Sequence, residues 1–281
     1  MKSPLCLIKS LEEYGIKPSG DKDTDQLVLA QATLDRERAR KERCVDIRQA
    51  ILNAYSEHFS EEHFDDLSDP TVYNRHAMMV VWIANNIILK GQKRVFEIDD
   101  DNKLVIRFLL YYFNNCPLAE KVFPERGYKL HKNIYLHGAS GAGKTLIMQI
   151  FSEYLRQIHS PRQFHNLTVS QMANYYTRNN NLDLYTFNEC CGKGFEGEPV
   201  NVCLNDIGVE TASFYGTDTL QLTCDFMYAR NDIWTQQHRF AHLTSNLDID
   251  DLANVFHDKY DRIMDRFKTY NDVPLPGGSR R

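Results

Sequence analysis

No stretch of the sequence approaches the roughly 18 consecutive apolar residues of a membrane-spanning helix, so no membrane partner is expected. The first residues offer only a short apolar run, Pro4 to Ile8. That run is too short for the core of a signal peptide, and a cytoplasmic protein is expected. A disulfide framework is also lacking. The seven cysteines (Cys6, Cys44, Cys116, Cys190, Cys191, Cys203 and Cys224) are odd in number and scattered, and none has C-x-x-C spacing. This argues against a stapled secreted fold and against a zinc module. The adjacent Cys190 and Cys191 read as ordinary thiols of a reducing compartment. Positive charge is in short supply too. The formal net charge is -5, so no global field draws the protein to nucleic acid, and any such contact needs a local patch. There are no repeats and no low-complexity tracts.

What remains is an ordinary globular composition with two textures. Residues 1–95 read as a helical, partner-binding region. Leu27, Leu29, Ala30 and Leu34 lead into the mixed-charge stretch Asp35 to Arg43. A second apolar pattern runs from His76 to Leu89, started by the turn Ser68-Asp69-Pro70 and closed by Lys90-Gly91. From Phe96 to residue 272, helical patterns alternate with short apolar runs: Ile134–Leu136, Leu167–Val169, Val200–Leu204 and Phe240–Thr244. Lys103 to Phe113 and Thr145 to Ile158 are the clearest helices between them. Such alternation predicts an α/β fold with a parallel sheet flanked by helices. Residues 273–281, with Pro-Leu-Pro-Gly-Gly, are expected to form a flexible tail.

The strongest motif is Gly138-Ala139-Ser140-Gly141-Ala142-Gly143-Lys144-Thr145. It matches G-x-x-x-x-G-K-[ST] in full and lies between a predicted strand and a predicted helix. Glycines let the backbone wrap a polyphosphate with its N–H groups inward, and the helix start adds its positive end. Lys144 is expected to reach the β- and γ-phosphates of ATP, and the Thr145 hydroxyl to bind Mg²⁺. A chance match in a chain of this length arises on the order of 1% of the time at ordinary residue frequencies. A P-loop NTPase is therefore expected.

Such a site needs a second strand ending in carboxylates. The candidate is Val202-Cys203-Leu204-Asn205-Asp206. In one register Asn205 takes the metal-side position and Asp206 activates water. Shifted by one residue, Asp206 becomes the metal-side carboxylate, and Glu210, four residues on, is left as the base. The first register keeps a natural strand length and is preferred, which makes Thr145, Asn205 and Asp206 the metal candidates. Because Asn carries no charge, hydrolysis is expected to be slow or conditional.

The segment Asn205-Asp206-Ile207-Gly208-Val209-Glu210 resembles the AAA+ ATPases of the bacterial replicative-helicase loader type (DnaC-like) and the related IstB-type transposition helpers. Arg239 to Leu247 resembles that family's fourth strand, ending in a polar sensor. Asp258-Lys259-Tyr260-Asp261-Arg262-Ile263-Met264-Asp265-Arg266-Phe267 resembles its tyrosine- and arginine-containing segment. The likeness covers about residues 96 to 270 and leaves the first 95 unmatched; Asn205 is its clearest departure. It implies that Asn246 orients the lytic water or senses the γ-phosphate. It also implies that Arg262 is an arginine finger acting in trans, and hence that the protein is a homo-oligomer. Arg266 could assist or pair with Asp261 or Asp265, and Arg230 and Arg239 are possible finger substitutes. The residues after Phe267 leave no room for a helical bundle, so an AAA+ core without a full C-terminal lid is expected.

Other features read more plainly. Arg36 to Arg43 alternates in sign and suits a solvated helix better than a phosphate contact. Tyr175, Tyr176, Tyr185 and Phe187 could stack on bases or anchor a loop. His137 reads as a strand-end side chain, and Gly192 to Gly197 as a flexible loop. Taken together, the expected function is an ATPase that loads or remodels a partner, a replicative helicase or other replication or recombination protein, on single-stranded DNA. The alternatives are a mobile-element ATPase on duplex DNA and a nucleotide-gated scaffold with little turnover.

Overall fold

The computed structural model describes residues 10–39, 64–186, 199–208, 218–256 and 262–280. Glu210, Tyr260, Phe187, Cys190, Cys191 and the glycines at 192 and 197 lie outside them. The chain divides into two compact units, Met1–His63 and Phe64–Arg281. In the first, residues 22–39 form a helix, and the Arg36 guanidinium lies 5.2 Å from the Tyr14 ring centroid. None of the described helices is long and apolar enough to cross a membrane.

The second unit begins about thirty residues before the change of texture at Phe96. Helix α1 (Pro70–Ile83) starts as its sequence predicts: Asp69 caps it by accepting the Thr71 N–H at 2.7 Å, and Pro70 fills the first turn, where no N–H is needed. It packs on the sheet's helices. The buried His76 ring places Nδ1 2.6 Å from the Tyr154 hydroxyl, which also accepts from Asn114 at 2.8 Å. After Ile83 the helix widens into one π-turn, Ala84–Ile88, where Leu89 N–H reaches back to Ala84 O. Such turns often mark functional positions, and this one delivers Ile88 and Leu89 to the site described below.

Apart from single helical turns at Ala119–Val122, Pro124–Arg126 and Asp183–Thr186, the remaining described elements are α2 (Lys103–Phe113), β1 (Asn133–His137), α3 (Lys144–Gln157), β2 (Phe164–Thr168), α4 (Val169–Asn179), β3 (Asn201–Ile207), α5 (Thr219–Gln237), β4 (Ala241–Ser245), α6 (Ile249–Val255), α7 (Arg262–Phe267) and β5 (Tyr270–Pro274). All five strands pair in parallel in the order β2-β3-β4-β1-β5. The inner strands β1, β3 and β4 are buried along nearly their whole length because both faces are covered. Ile134, Leu136 and Cys203 join the core beneath α1, α2 and α3, while Tyr135, Val202, Leu204 and Leu243 join the core beneath α4, α5, α6 and α7. This is an α/β P-loop NTPase fold. The four predicted apolar runs are all strands, within a few residues of their expected limits.

The fifth strand and the residues after it differ from expectation. β5 covers residues assigned to the end of the core and the start of the tail, and pairs along β1 from Asn133–Tyr270 to His137–Pro274. Leu275 N–H continues the ladder to His137 O at 2.7 Å. Residues 275–280 are then held by named contacts rather than loose. The prolines that suggested a tail fall at the last strand position and beyond it, where an edge strand tolerates them.

Candidate nucleotide-binding site

The phosphate loop leaves the end of β1 and enters α3 through three glycines with positive φ: Gly138 (153°), Gly141 (81°) and Gly143 (102°). Side chains rarely adopt these conformations. Gly143 is also the residue immediately before the 14-residue helix α3, with no side-chain cap on that terminus. The first N–H groups of an uncapped helix lack intrahelical acceptors and attract anions. Lys144 is 3% exposed, and its Nζ donates to Gly138 O (2.8 Å), Ala139 O (3.0 Å) and Asn246 Oδ1 (2.7 Å).

Asn246 stands just past β4, the strand between β1 and β3. Ser245 Oγ donates to Ile207 O at 2.7 Å and accepts the Leu247 N–H at 3.1 Å, while Tyr135 Oη donates to Leu247 O at 2.6 Å. These contacts pin the turn carrying Asn246 to the ends of β1 and β3. The polar sensor position and the loop lysine are therefore brought into direct contact.

The acidic strand turns Asn205, the metal-side residue of the preferred register, away from the cleft. Leu204 pairs with Leu243, and Ile207 with Ser245, so Asn205 and Asp206 together oppose Thr244 alone. This is a β-bulge, and Asp206 adopts φ 63° within it. Bulges re-aim side chains near functional sites, and a left-handed non-glycine residue stores of order 1 kcal/mol or more of strain. Asp tolerates that region better than most residues. Asp206 faces the cleft, its carboxylate oxygens 3.4 and 3.5 Å from Thr145 Oγ1. Asn205 turns away and is 2% exposed. Its amide donates to Leu167 O (3.1 Å), Asn166 Oδ1 (3.2 Å) and Cys203 O (3.4 Å), and its Oδ1 accepts from Thr244 Oγ1 at 3.3 Å. Buried and turned into the sheet, Asn205 does not line the cleft, contrary to its expected metal-side position. Of the three metal candidates, Thr145 and Asp206 are the two that face one another in the cleft.

The cleft holds about 450 Å³ between the phosphate loop and the segment after the π-turn. Ile88, Leu89, Gln92 and Arg94 line one side; Lys144, Thr145, Asp206 and Asn246 line the other. No sequence signal marked the first four, because they converge on the loop only through packing of α1. A hydroxyl and a carboxylate are hard oxygen donors of the kind magnesium takes alongside phosphate oxygens. Among the described residues lining the cleft, Asp206 is the one carboxylate.

Several candidates lie elsewhere. Arg262 opens α7 with its guanidinium 5.7 Å from the Tyr228 ring centroid, beside a separate hollow of about 250 Å³ shared with Asp218 and Gln221. Arg266 stacks on the same ring at 4.5 Å, while Asp265 pairs with Lys268 rather than with Arg266. Arg230 is no finger substitute. It is 1% exposed and donates to the carbonyls of Tyr185, Val200 and Phe240, and burial pushes its pKa down to about 10. His137 pairs with Asp272 at 2.9 Å and stacks on Tyr135, as a strand-end side chain. Tyr175 and Tyr185 pack edge to face at 5.2 Å, which anchors the chain after α4.

No protein-family profile matches the sequence, and no curated protein matches it. Among solved structures, a Streptococcus pyogenes serotype M3 protein described as a primosome component is similar at 18% identity, over 65% of this chain and 84% of that one, with a TM-score of 0.42. Domain III of the Thermotoga maritima replication initiation protein DnaA is similar at 16% identity, over 65% of each chain, with a TM-score of 0.43. AMPPCP-bound DnaA from Aquifex aeolicus is similar at 15% identity, over 64% of this chain and 48% of that one, with a TM-score of 0.40. At such distances function is read from the geometry of the cleft.

Proposed function

We propose that this chain binds ATP with magnesium in the cleft above β1 and hydrolyses it. The observation that carries the proposal is the convergence of three separate segments: the buried Lys144 held by Asn246, with Thr145 facing Asp206 beside them. The loop amides and Lys144 would grip the β- and γ-phosphates, where a fixed ammonium offsets the charge of the transferring group. Thr145 and Asp206 would hold magnesium, which when bound neutralises charge on the phosphate oxygens. Asn246 is close enough to Lys144 to place a polar group at the γ-phosphate.

The motif resemblance extends the proposal to an AAA+ assembly factor that loads or remodels a partner, first of all a replicative helicase, on single-stranded DNA. Arg262 stands outside its own cleft, which suits a finger offered to the ATP of a neighbouring copy. The test is steady-state ATP hydrolysis with no DNA, with single-stranded DNA and with duplex DNA, beside Lys144→Ala. Removing a charged phosphate ligand is expected to weaken ATP binding about 100-fold and to abolish turnover. Stimulation by single-stranded DNA supports the loader; stimulation by duplex DNA alone favours the transposition-type ATPase. A nucleotide-gated scaffold is favoured by one observation, the single carboxylate among the described cleft residues. Tight ATP binding without turnover under any condition would put that reading first.

A further inference from the structure

Two glycines of the phosphate loop are pressed from outside the nucleotide cleft. A Cβ on Gly138 would collide with Leu275 O, and one on Gly141 with Ser279 Oγ, while Arg280 Cδ lies 3.9 Å from the Cβ position of Gly143. The segment doing this, Leu275–Arg280, follows β5 directly. It is bonded to the residue before the loop and to the loop's middle: Leu275 N–H donates to His137 O at 2.7 Å, and Arg280 N–H donates to Gly141 O at 2.9 Å. Its far end is tied to the turn before α2 and to one residue of the cleft. The Arg280 guanidinium donates to both oxygens of Asp99, at 2.5 and 3.0 Å, and lies 3.6 Å from Asp101. Arg94, which lines the cleft, donates to Arg280 O at 3.4 Å. The neighbouring Arg280 holds the Asp99 carboxyl below its ordinary range.

We infer that Leu275–Arg280 is a strap that holds the phosphate loop in its nucleotide-gripping shape, with Arg280 as a positioning residue for ATP. This rests on the assignment of the cleft to ATP. The reasoning is one of preorganisation. A glycine-rich loop is loose by itself, and a nucleotide must order it on binding. Here the carbonyl of Gly141 is already engaged by the strap, which fixes the orientation of the peptide that follows it. Since the bidentate pair with Asp99 anchors the strap, the order of the loop depends on a side chain more than a hundred residues away. The strap also spans from the loop to the Asp99–Asp101 turn and touches the cleft residue Arg94. Arg280 does not line the cleft; it acts through Gly141.

The test measures affinity for a non-hydrolysable ATP analogue with magnesium, together with thermal stability, in the full chain. Arg280→Ala and Asp99→Asn each remove the anchor, and Asp99→Asn keeps the oxygen that accepts the Asp101 and Asn102 N–H groups. Each is expected to weaken binding about fivefold, the scale of a bidentate, partly exposed ion pair. The double variant should be no weaker than either single one, and Arg280→Lys should recover part of the loss. Melting temperature should stay within a degree or two of the parent, which separates positioning from a structural role. Unchanged affinity in both single variants would overturn the strap, and so would tighter binding, which would make the segment an obstruction. If the parent binds no nucleotide and Lys144→Ala behaves identically, the ATP assignment itself fails. Binding lost in Lys144→Ala but indifferent to Arg280 sinks the strap alone.

Discussion

The carboxyl ends of β1 and β3 face one cleft and are built on opposite plans. At β1 the chain is glycine-rich and supported by its neighbours: Asn246 holds Lys144, and Leu275 and Arg280 hold the carbonyls of His137 and Gly141. At β3 there is one exposed carboxylate, placed by a bulge at a strained φ and backed by a buried amide. The first end is made to grip and depends on backbone shape. The second depends on a single side chain whose direction is set by its neighbours. The difference teaches that binding and turnover can be separated in this protein. Substitutions at β3 should touch magnesium and chemistry while leaving phosphate binding in place, and the reverse should not hold.

The largest effect expected at β3 is on stability, from Asn205→Asp. This change would restore the paired carboxylates that a reading of the strand leads one to expect. In the fold, however, the new oxygen would face Leu167 O, Asn166 Oδ1 and Cys203 O where an amide now donates. A buried carboxylate among acceptors is expected to cost about 3 kcal/mol. Its folded pKa would rise above the unfolded value, so the penalty grows as pH climbs through the carboxylate range and shrinks in acid. Urea denaturation at two pH values measures this. Raised ATPase activity with unchanged stability would mean that residue 205 reaches the cleft after all.

Asp206→Asn sharpens the comparison from the other side. The substitution keeps shape and the tolerance of positive φ but removes the charge facing Thr145. Magnesium is expected to strengthen ATP-analogue binding in the parent and to lose about tenfold of that effect in the variant. Affinity measured in EDTA should be the same for both. If the two proteins respond equally to magnesium, Asp206 is not the metal-side residue.

A third test concerns β4, which lies between the two ends and carries His242 on its inner face. The ring is ringed by Phe113, Phe164 and Phe240 at 5.2–5.7 Å, and its Nδ1 accepts the Ile134 N–H at 3.2 Å. Burial, with Arg162 and Arg230 nearby, pushes its pKa down to about 3. An unfolded histidine takes its proton near pH 6.5, whereas the folded one stays neutral. Stability is therefore full above pH 6.5 and falls with pH down to about 3, by about 1.4 kcal/mol per unit. At pH 5 the loss is about 2 kcal/mol. His242→Asn, which can still accept from Ile134, should lose this part of the pH slope. Parallel slopes in parent and variant would argue that the ring protonates in the folded state.

How much of this was legible in the sequence follows the distance over which each feature is decided. The phosphate loop is eight consecutive residues with a strand before and a helix after, so it was legible outright. So were the four apolar runs, since a strand covered on both faces announces itself. The register at Asn205 and Asp206 was not, because the bulge exists only where β3 meets Thr244 on β4. The same holds for α1, which reads as part of a helical N-terminal region until Tyr154, 78 residues on, is seen against His76. β5 and the strap were hidden by Pro274 and the Pro-Gly-Gly that follows, residues that signal coil locally and are held in place by partners at His137, Gly141 and Asp99. Arg94 carried no signal at all.

The smallest effect, and the most pointed, belongs to Thr244→Val. Thr244 Oγ1 accepts the Asp206 N–H at 3.0 Å and donates to Asn205 Oδ1 at 3.3 Å, so one hydroxyl serves both residues of the bulge. Valine fills the same space and leaves the buried Asn205 oxygen without that donor, at a cost of about 1 kcal/mol. The Asp206 N–H is also released, and with it the restraint that keeps this residue at positive φ. The magnesium enhancement of ATP-analogue binding should therefore fall about twofold, while affinity in EDTA stays where it was. Thr244→Ser keeps the hydroxyl and loses only a methyl, so it should keep the full magnesium response. If serine and valine behave alike, the bulge is held by strand pairing alone. Asp206 would then owe its direction to the backbone, as the phosphate loop does, and the contrast between the two strand ends would narrow.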